Sequence, residues 1–165
     1  MRQKTKKQTK IKEDIKMNKI TSFTVDHTKL EKGLYISRID GDITTYDLRM
    51  RKPNTEDLMS NSAMHSFEHM LATFLRNSSI KDNVIYCGPM GCQTGFYVLI
   101  KDADNENFLT VLKECLKGII SYEGEMFGNS EVECGNYKNL STIAAKEEAA
   151  MYLKILENHK NFSYE

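Results

Sequence analysis

The segment His65-Ser66-Phe67-Glu68-His69 reads H-x-x-E-H, and its residue types suit a metal site. On a helix, side chains at i and i+4 lie one turn apart on the same face, so both imidazoles can reach one ion while Glu68 projects nearby. The same pattern marks the inverzincin peptidases, in which the glutamate activates a metal-bound water. The competing reading is two histidines on a half-buried helix, bonded to backbone or water. The chain holds four histidines, and two of them at metal spacing around a carboxylate weigh against that reading.

Two further segments carry thiols. Pro89-Met90-Gly91-Cys92-Gln93-Thr94-Gly95 sets a cysteine in a glycine-bounded turn at the mouth of a strand. Glycine there permits unusual backbone angles and close approach of a ligand, and an exposed turn cysteine near a metal is readily activated. Taken alone, this is balanced against a loop cysteine without a role. Cys134 lies in Glu133-Cys134-Gly135-Asn136-Tyr137, a polar turn. A thiolate from a distant loop is a reasonable third ligand to two helical histidines, leaving a fourth position for water or substrate. Spacing alone leaves that ligand open among three cysteines. Cys115 falls on an apolar helical stripe, where core packing is its expected role, and Cys87 is expected to pack at a strand end.

These residues need a scaffold. Gly33 to Arg51 predicts two strands joined at Asp40-Gly41-Asp42, a hairpin signal. Asn54 to Ser62 reads as a polar loop. From about Ala63 to Asn77, Met64, Phe67, Met70, Leu71, Phe74 and Leu75 recur at helical spacing, with Ser60, Asn61 or Ser62 as the cap. Val84 to Tyr86 and Gly95 to Lys101 read as strands around the CGPMGCQT loop. Phe108 to Ile120 carries the stripe of a second helix, and Thr142 to Asn158 a third. Strand pairs with segregated helices predict an α+β fold, an antiparallel sheet covered by helices.

The chain has 165 residues, enough for one domain with a real core. Its 40% apolar and 28% charged residues describe an ordinary globular composition, and no run approaches the roughly 18 to 20 apolar residues of a membrane span. The 23 basic and 23 acidic residues balance, but residues 1–16 hold seven Lys/Arg against Glu13 and Asp14, which leaves 16 basic and 21 acidic over the remainder. The first 16 residues therefore read as a basic, solvated extension ahead of a domain at 17–165, with Met17 as an alternative start. An acidic body without a basic stripe gives no reason to expect nucleic-acid binding. Without an apolar segment behind the basic residues there is no secretory signal, so a cytoplasmic location with reduced thiols is expected.

Together, ITSFTVDH (20–27), TYDLRMRKPN (45–54), HSFEHMLATFLRN (65–77), GPMGCQTGFY (88–97) and ECGNYKNL (133–140) resemble the S-ribosylhomocysteine lyase (LuxS) family, in that family's order and over nearly all of 17–165. The resemblance implies one divalent ion per subunit on His65, His69 and Cys134, natively Fe(II), with zinc or cobalt able to replace it. It implies Glu68 and Cys92 as the catalytic acid/base pair, and Ser22, His27, Arg49 and, as a weaker match, Arg76 around the substrate. It further implies a homodimer with active sites near the interface. The expected reaction converts S-ribosylhomocysteine to homocysteine and 4,5-dihydroxy-2,3-pentanedione, the autoinducer-2 precursor, by two carbonyl shifts and β-elimination. The chain departs from the pattern at Tyr86 and Gly88, where many members have Asp and Ser.

Two other readings compete. An H-x-x-E-H peptidase would usually take its third ligand from a downstream glutamate, whereas the matching position here is Cys134, and the chain is short for a peptide-binding cleft. A non-catalytic metal or redox-sensing module with Cys92 as the responsive thiol would have no need of Glu68.

Overall fold

The computed structural model describes residues 17–55 and 58–164; the basic extension expected at 1–16 lies outside the described residues. Four strands, β1 (Gly33–Asp40), β2 (Ile43–Arg49), β3 (Val84–Pro89) and β4 (Gly95–Lys101), form one antiparallel sheet in the order β1-β2-β4-β3. Three helices, α1 (Asn61–Leu75), α2 (Asn105–Ser121) and α3 (Thr142–Leu156), pack together on one side of it. The expected α+β class is what the chain adopts.

Alternation along the central strands separates two faces. Tyr46, Leu48 and Met50 of the β2 segment, with Phe96, Val98 and Ile100 of β4, are buried against the helices. There they meet Phe67, Met70, Leu71 and Leu75 of α1, Phe108, Leu112, Leu116 and Ile119 of α2, and Ala149, Tyr152 and Leu156 of α3. Thr45, Asp47 and Arg49 alternate with the β2 core residues and point to the opposite, outer face, as do Tyr97 and Leu99 of β4.

Each helix begins where a side chain satisfies an otherwise unpaired N–H. Ser60 accepts from Ala63 N, Asp104 from Asn107 N and Ser141 from Ala144 N. Such a cap contributes about 1 kcal/mol. The first hairpin closes through Gly41, whose φ of +62° suits glycine.

Several boundaries differ from the sequence reading: α1 runs Asn61–Leu75, starting inside the segment read as a polar loop and ending short of Asn77, and α3 ends at Leu156 rather than Asn158. β3 continues through Cys87-Gly88-Pro89 because these residues pair with Val98, Tyr97 and Phe96 of β4, so Cys87 lies inside a strand rather than at its end. α2 begins at Asn105, ahead of its apolar stripe, because Asp104 caps it there. Among the described residues no helix is long and apolar enough to cross a membrane.

Candidate active site

The α1 helix presents His65 and His69 on one face, their rings 4.6 Å apart between centroids and nearly perpendicular. Their Nδ1 atoms are already engaged. His69 Nδ1 donates to the Phe127 carbonyl at 2.7 Å, and His65 Nδ1 lies 2.5 Å from Asn139 Oδ1. A carbonyl only accepts, so His69 carries its proton on Nδ1 and leaves the Nε2 lone pair for an ion; Asn139 Oδ1 gives His65 the same tautomer. Gly128, at φ +67°, clears the approach, since a Cβ there would stand 2.9 Å from the His69 ring.

Cys134 reaches this face because the segment before α3 is tied to α1. Ser62 Oγ donates to Asn139 O at 2.5 Å, and the buried Ser66 Oγ accepts from Ser141 N at 2.8 Å. Cys134 itself ends a turn closed onto Ser130 O, and its sulfur receives the Asn136 N–H at 3.4 Å. The sulfur stands 3.3 Å from His65 Nε2, and the ligand atoms of His65, His69 and Cys134 all lie within 4.8 Å of one another. Bond lengths of about 2.05 and 2.3 Å at a tetrahedral angle separate nitrogen from sulfur by about 3.6 Å, so the arrangement fits a three-ligand catalytic site with one position to spare. Cys134 also lines a cavity of about 300 Å³ with Glu131, Tyr137 and Lys138. Glu68, half-buried and one residue before His69, has no hydrogen bond or ion pair among the described residues.

A second cluster gathers on the outer face around Cys92. The turn from β3 to β4 is closed by Gln93 N to Met90 O and Met90 N to Gly95 O, with Gln93 at φ +62°. Gly95 permits the close crossing of β2, since a Cβ would fall 2.1 Å from Leu48 O. Met59 N donates to Gln93 O, and Gln93 Nε2 to Asn61 Oδ1, fastening the turn to the start of α1. Cys92 is exposed, and its sulfur lies 3.0 Å from Thr94 Oγ1. Arg49 Nη1 donates to that hydroxyl at 2.6 Å, while its Nε and Nη2 hold both oxygens of Asp47 at 3.1 and 2.6 Å. Tyr164 adds a hydrogen bond to Asp47 Oδ2 at 2.8 Å.

Asp47 and Arg49 are almost wholly buried. Burial pushes the Asp47 carboxyl above the usual carboxylate range, with the adjacent guanidinium pulling against it. The Asp47 charge in turn holds Arg49 protonated against its own desolvation. The bidentate contact is the geometry an ionised guanidinium–carboxylate pair adopts. His27 joins Cys92 and Thr94 in lining a cavity of about 290 Å³, its Nδ1 held by Val25 O at 2.9 Å.

The sequence model of the S-ribosylhomocysteinase (LuxS) family matches residues 20–162. The chain belongs to that family. Curated relatives named S-ribosylhomocysteine lyase include one from Desulfotalea psychrophila, 45% identical over 90% of this chain and 99% of the relative. Another from Finegoldia magna is 45% identical over 87% and 95%, and one from Borreliella burgdorferi 43% identical over 87% and 96%. The LuxS family is metal-dependent, and the His65, His69 and Cys134 donors suit that dependence.

The remaining residues that the LuxS resemblance singled out are spread more widely. Ser22 lies in a 3-10 turn at the rim of a cavity of about 450 Å³ on the outer sheet face, with Thr45, Tyr86, Tyr97 and Leu99. Arg76 stands at the end of α1, where its guanidinium donates to Val84 O and Ile85 O at 3.2 and 3.1 Å, so it braces β3. Asn139, Asp47, Thr94 and Tyr164 were not singled out. Asp47 alone had a readable signal, since an Asp-x-Arg pair on a strand places opposite charges on one face.

Proposed function

We propose that this carbon–sulfur lyase cleaves S-ribosylhomocysteine to homocysteine and 4,5-dihydroxy-2,3-pentanedione, with Cys92 and Glu68 moving the protons beside an ion held by His65, His69 and Cys134. The observation that carries the reading is the convergence of the two helical imidazoles and the Cys134 sulfur, with an uncommitted Glu68 on the same helix, in a chain of the LuxS family.

The thioether at C5 of the substrate is a poor leaving group until a carbonyl stands two carbons away. A base removes the C2 proton of the open-chain aldose, an acid returns a proton at C1, and the O2 proton passes to O1, which moves the carbonyl to C2. A second transfer of the same kind moves it to C3. Removal of the now acidic C4 proton expels the C5 sulfur as homocysteine thiolate, which takes up a proton, and the enol left at C4–C5 moves its hydroxyl proton to C5 to give the dione. When bound, a divalent ion supplies Lewis acidity to the oxygens that gain charge in these steps. The Phe127 carbonyl and Asn139 hold the imidazoles in the ligating tautomer. Glu68 is free to accept and return protons, and Cys92 sits at a cavity mouth where a second proton carrier is needed. A positioned acid or base contributes about 100- to 10,000-fold.

Imidazole and thiolate donors accept several first-row ions, and Fe(II) is the proposed native one, with zinc and cobalt able to substitute. Ser22, His27 and Arg49 are the proposed substrate contacts. A homodimer is part of the reading: the 450 Å³ cavity and the exposed Ile20, Phe23 and Tyr86 leave an apolar outer face for a second copy to cover. Four unpaired cysteines suit a cytoplasmic setting. The test is release of homocysteine thiol from S-ribosylhomocysteine by anaerobically purified, Fe(II)-loaded protein. Turnover is expected, and a fully loaded protein that releases none overturns the reading. Sedimentation should give a dimer at assay concentration; an active monomer removes that part.

A further inference from the structure

We propose that Thr94 is a positioning residue for Cys92, its hydroxyl locked by Arg49 so that its single hydrogen is presented to the Cys92 sulfur. This rests on the reading of Cys92 as a proton carrier and adds to it the group that sets the sulfur's state and direction.

A guanidinium only donates. At 2.6 Å from Arg49 Nη1, Thr94 Oγ1 is therefore the acceptor, and its own hydrogen must point elsewhere. The Cys92 sulfur, 3.0 Å away, is the partner in reach. Neither end of this link is loose. Arg49 is pinned by both oxygens of Asp47, and Oδ2 also takes the Tyr164 hydroxyl. Thr94 is buried, and its backbone carbonyl accepts from both Met50 N and Arg51 N at 3.0 and 2.9 Å. The charge of Arg49 thus reaches the sulfur through an O–H already polarised by it, and such a donor bonds more strongly to a sulfur that carries negative charge. Among the described residues, the other titratable groups around the sulfur are His27, across the shared cavity, and Tyr97, with Asp47 and Tyr164 behind Arg49.

The experiment compares metal-loaded parent, Thr94→Val and Thr94→Ser for the rate at which iodoacetamide alkylates Cys92, read by peptide mass. Valine keeps the branched shape and removes the hydroxyl, whereas serine restores it. At pH 7 the valine variant should alkylate about tenfold more slowly or worse, since a hydrogen bond to a charged group is worth at least that factor. Serine should return the rate to within about twofold of the parent. At pH 9.5 all three should converge, which also shows that access to the sulfur is unchanged. A valine variant equal to the parent at pH 7, or slow at both pH values, overturns the proposal. Should valine fail to fold, Thr94→Ala gives the same comparison. Alkylation uses no substrate, so the two readings fail separately: full turnover by Cys92→Ala removes the proton-carrier reading without touching these rates.

Discussion

The Cys134 sulfur stands 3.3 Å from His65 Nε2, although 69 residues separate the two in the chain. An ion shared by this sulfur and the two imidazoles would bind all three donors at once. The bonds from Ser62, Ser66 and His65 to the 139–141 segment hold them there. Removing one ligand should therefore empty the site while leaving the sheet intact. Cys134→Ala and His65→Ala are expected to retain less than a tenth of the parent's metal after dialysis, with metal measured by elemental analysis. Full, tight occupancy in Cys134→Ala would show that the ion sits elsewhere.

Asn139 holds His65 from behind, so its loss should loosen the ion without removing a ligand. Asn139→Ala is expected to weaken metal affinity about 10- to 100-fold, and Asn139→Asp to restore it. Competition with a metallochromic chelator reads this directly. Equal affinities across the three proteins would mean that the contact is incidental.

Cys92 and Glu68 make none of the ligand contacts. Cys92→Ala and Glu68→Gln should therefore keep their metal and lose about 100- to 10,000-fold in turnover. Metal content beside the rate of thiol release separates chemistry from binding. A Cys92→Ala protein that is inactive because it has lost its ion would make Cys92 a ligand and reopen the role of Cys134.

The Asp47–Arg49 pair is buried on the sheet's outer face, and Asp47→Asn would leave the guanidinium charge without its counterion. The expected loss is about 3 to 5 kcal/mol in unfolding free energy, measured by denaturant titration. A change below about 1 kcal/mol would mean that the charge is compensated by something other than Asp47.

Burial pushes the Cys87 thiol up to about 12, helped by the Glu68 charge, and that of Cys115 up to about 11. In the unfolded chain such thiols ionise near 9.0. Between these values the unfolded state releases protons that the folded state keeps, so stability is intact below pH 9 and falls as pH rises towards 12. Urea midpoints taken from pH 8 to 11 should decline, and more gently in Cys87→Ala. A slope unchanged by that substitution would remove Cys87 as a contributor. At pH 8, alkylation should spare both buried thiols and reach Cys92.

Periodicity carried the helices and the strands β1, β2 and β4, because burial on one face repeats at 3.6 or 2 residues and needs no knowledge of the partner. The same logic placed Cys115 in the core. It failed at Cys87-Gly88-Pro89, where glycine and proline look like loop and only the facing Val98, Tyr97 and Phe96 make a strand. His65 and His69 declare themselves by local spacing, whereas Cys134 is one of three cysteines that spacing does not separate. Asn139 and Tyr164 act across 74 and 117 residues of chain, and nothing local announces such contacts.

The two faces of β2 tie function to arithmetic. Leu48 belongs to the core and Arg49 to the outer face only because their positions differ by one, so inserting or deleting a single residue within the strand would exchange their destinations. The core would then receive Asp47 and Arg49, and Thr94 would face a hydrocarbon. Over evolutionary time, length changes in this region should be confined to the turn at Gly41 and the loop after Arg51, since an odd-numbered change inside the strand sacrifices the hydrophobic core and the arginine's aim in the same event.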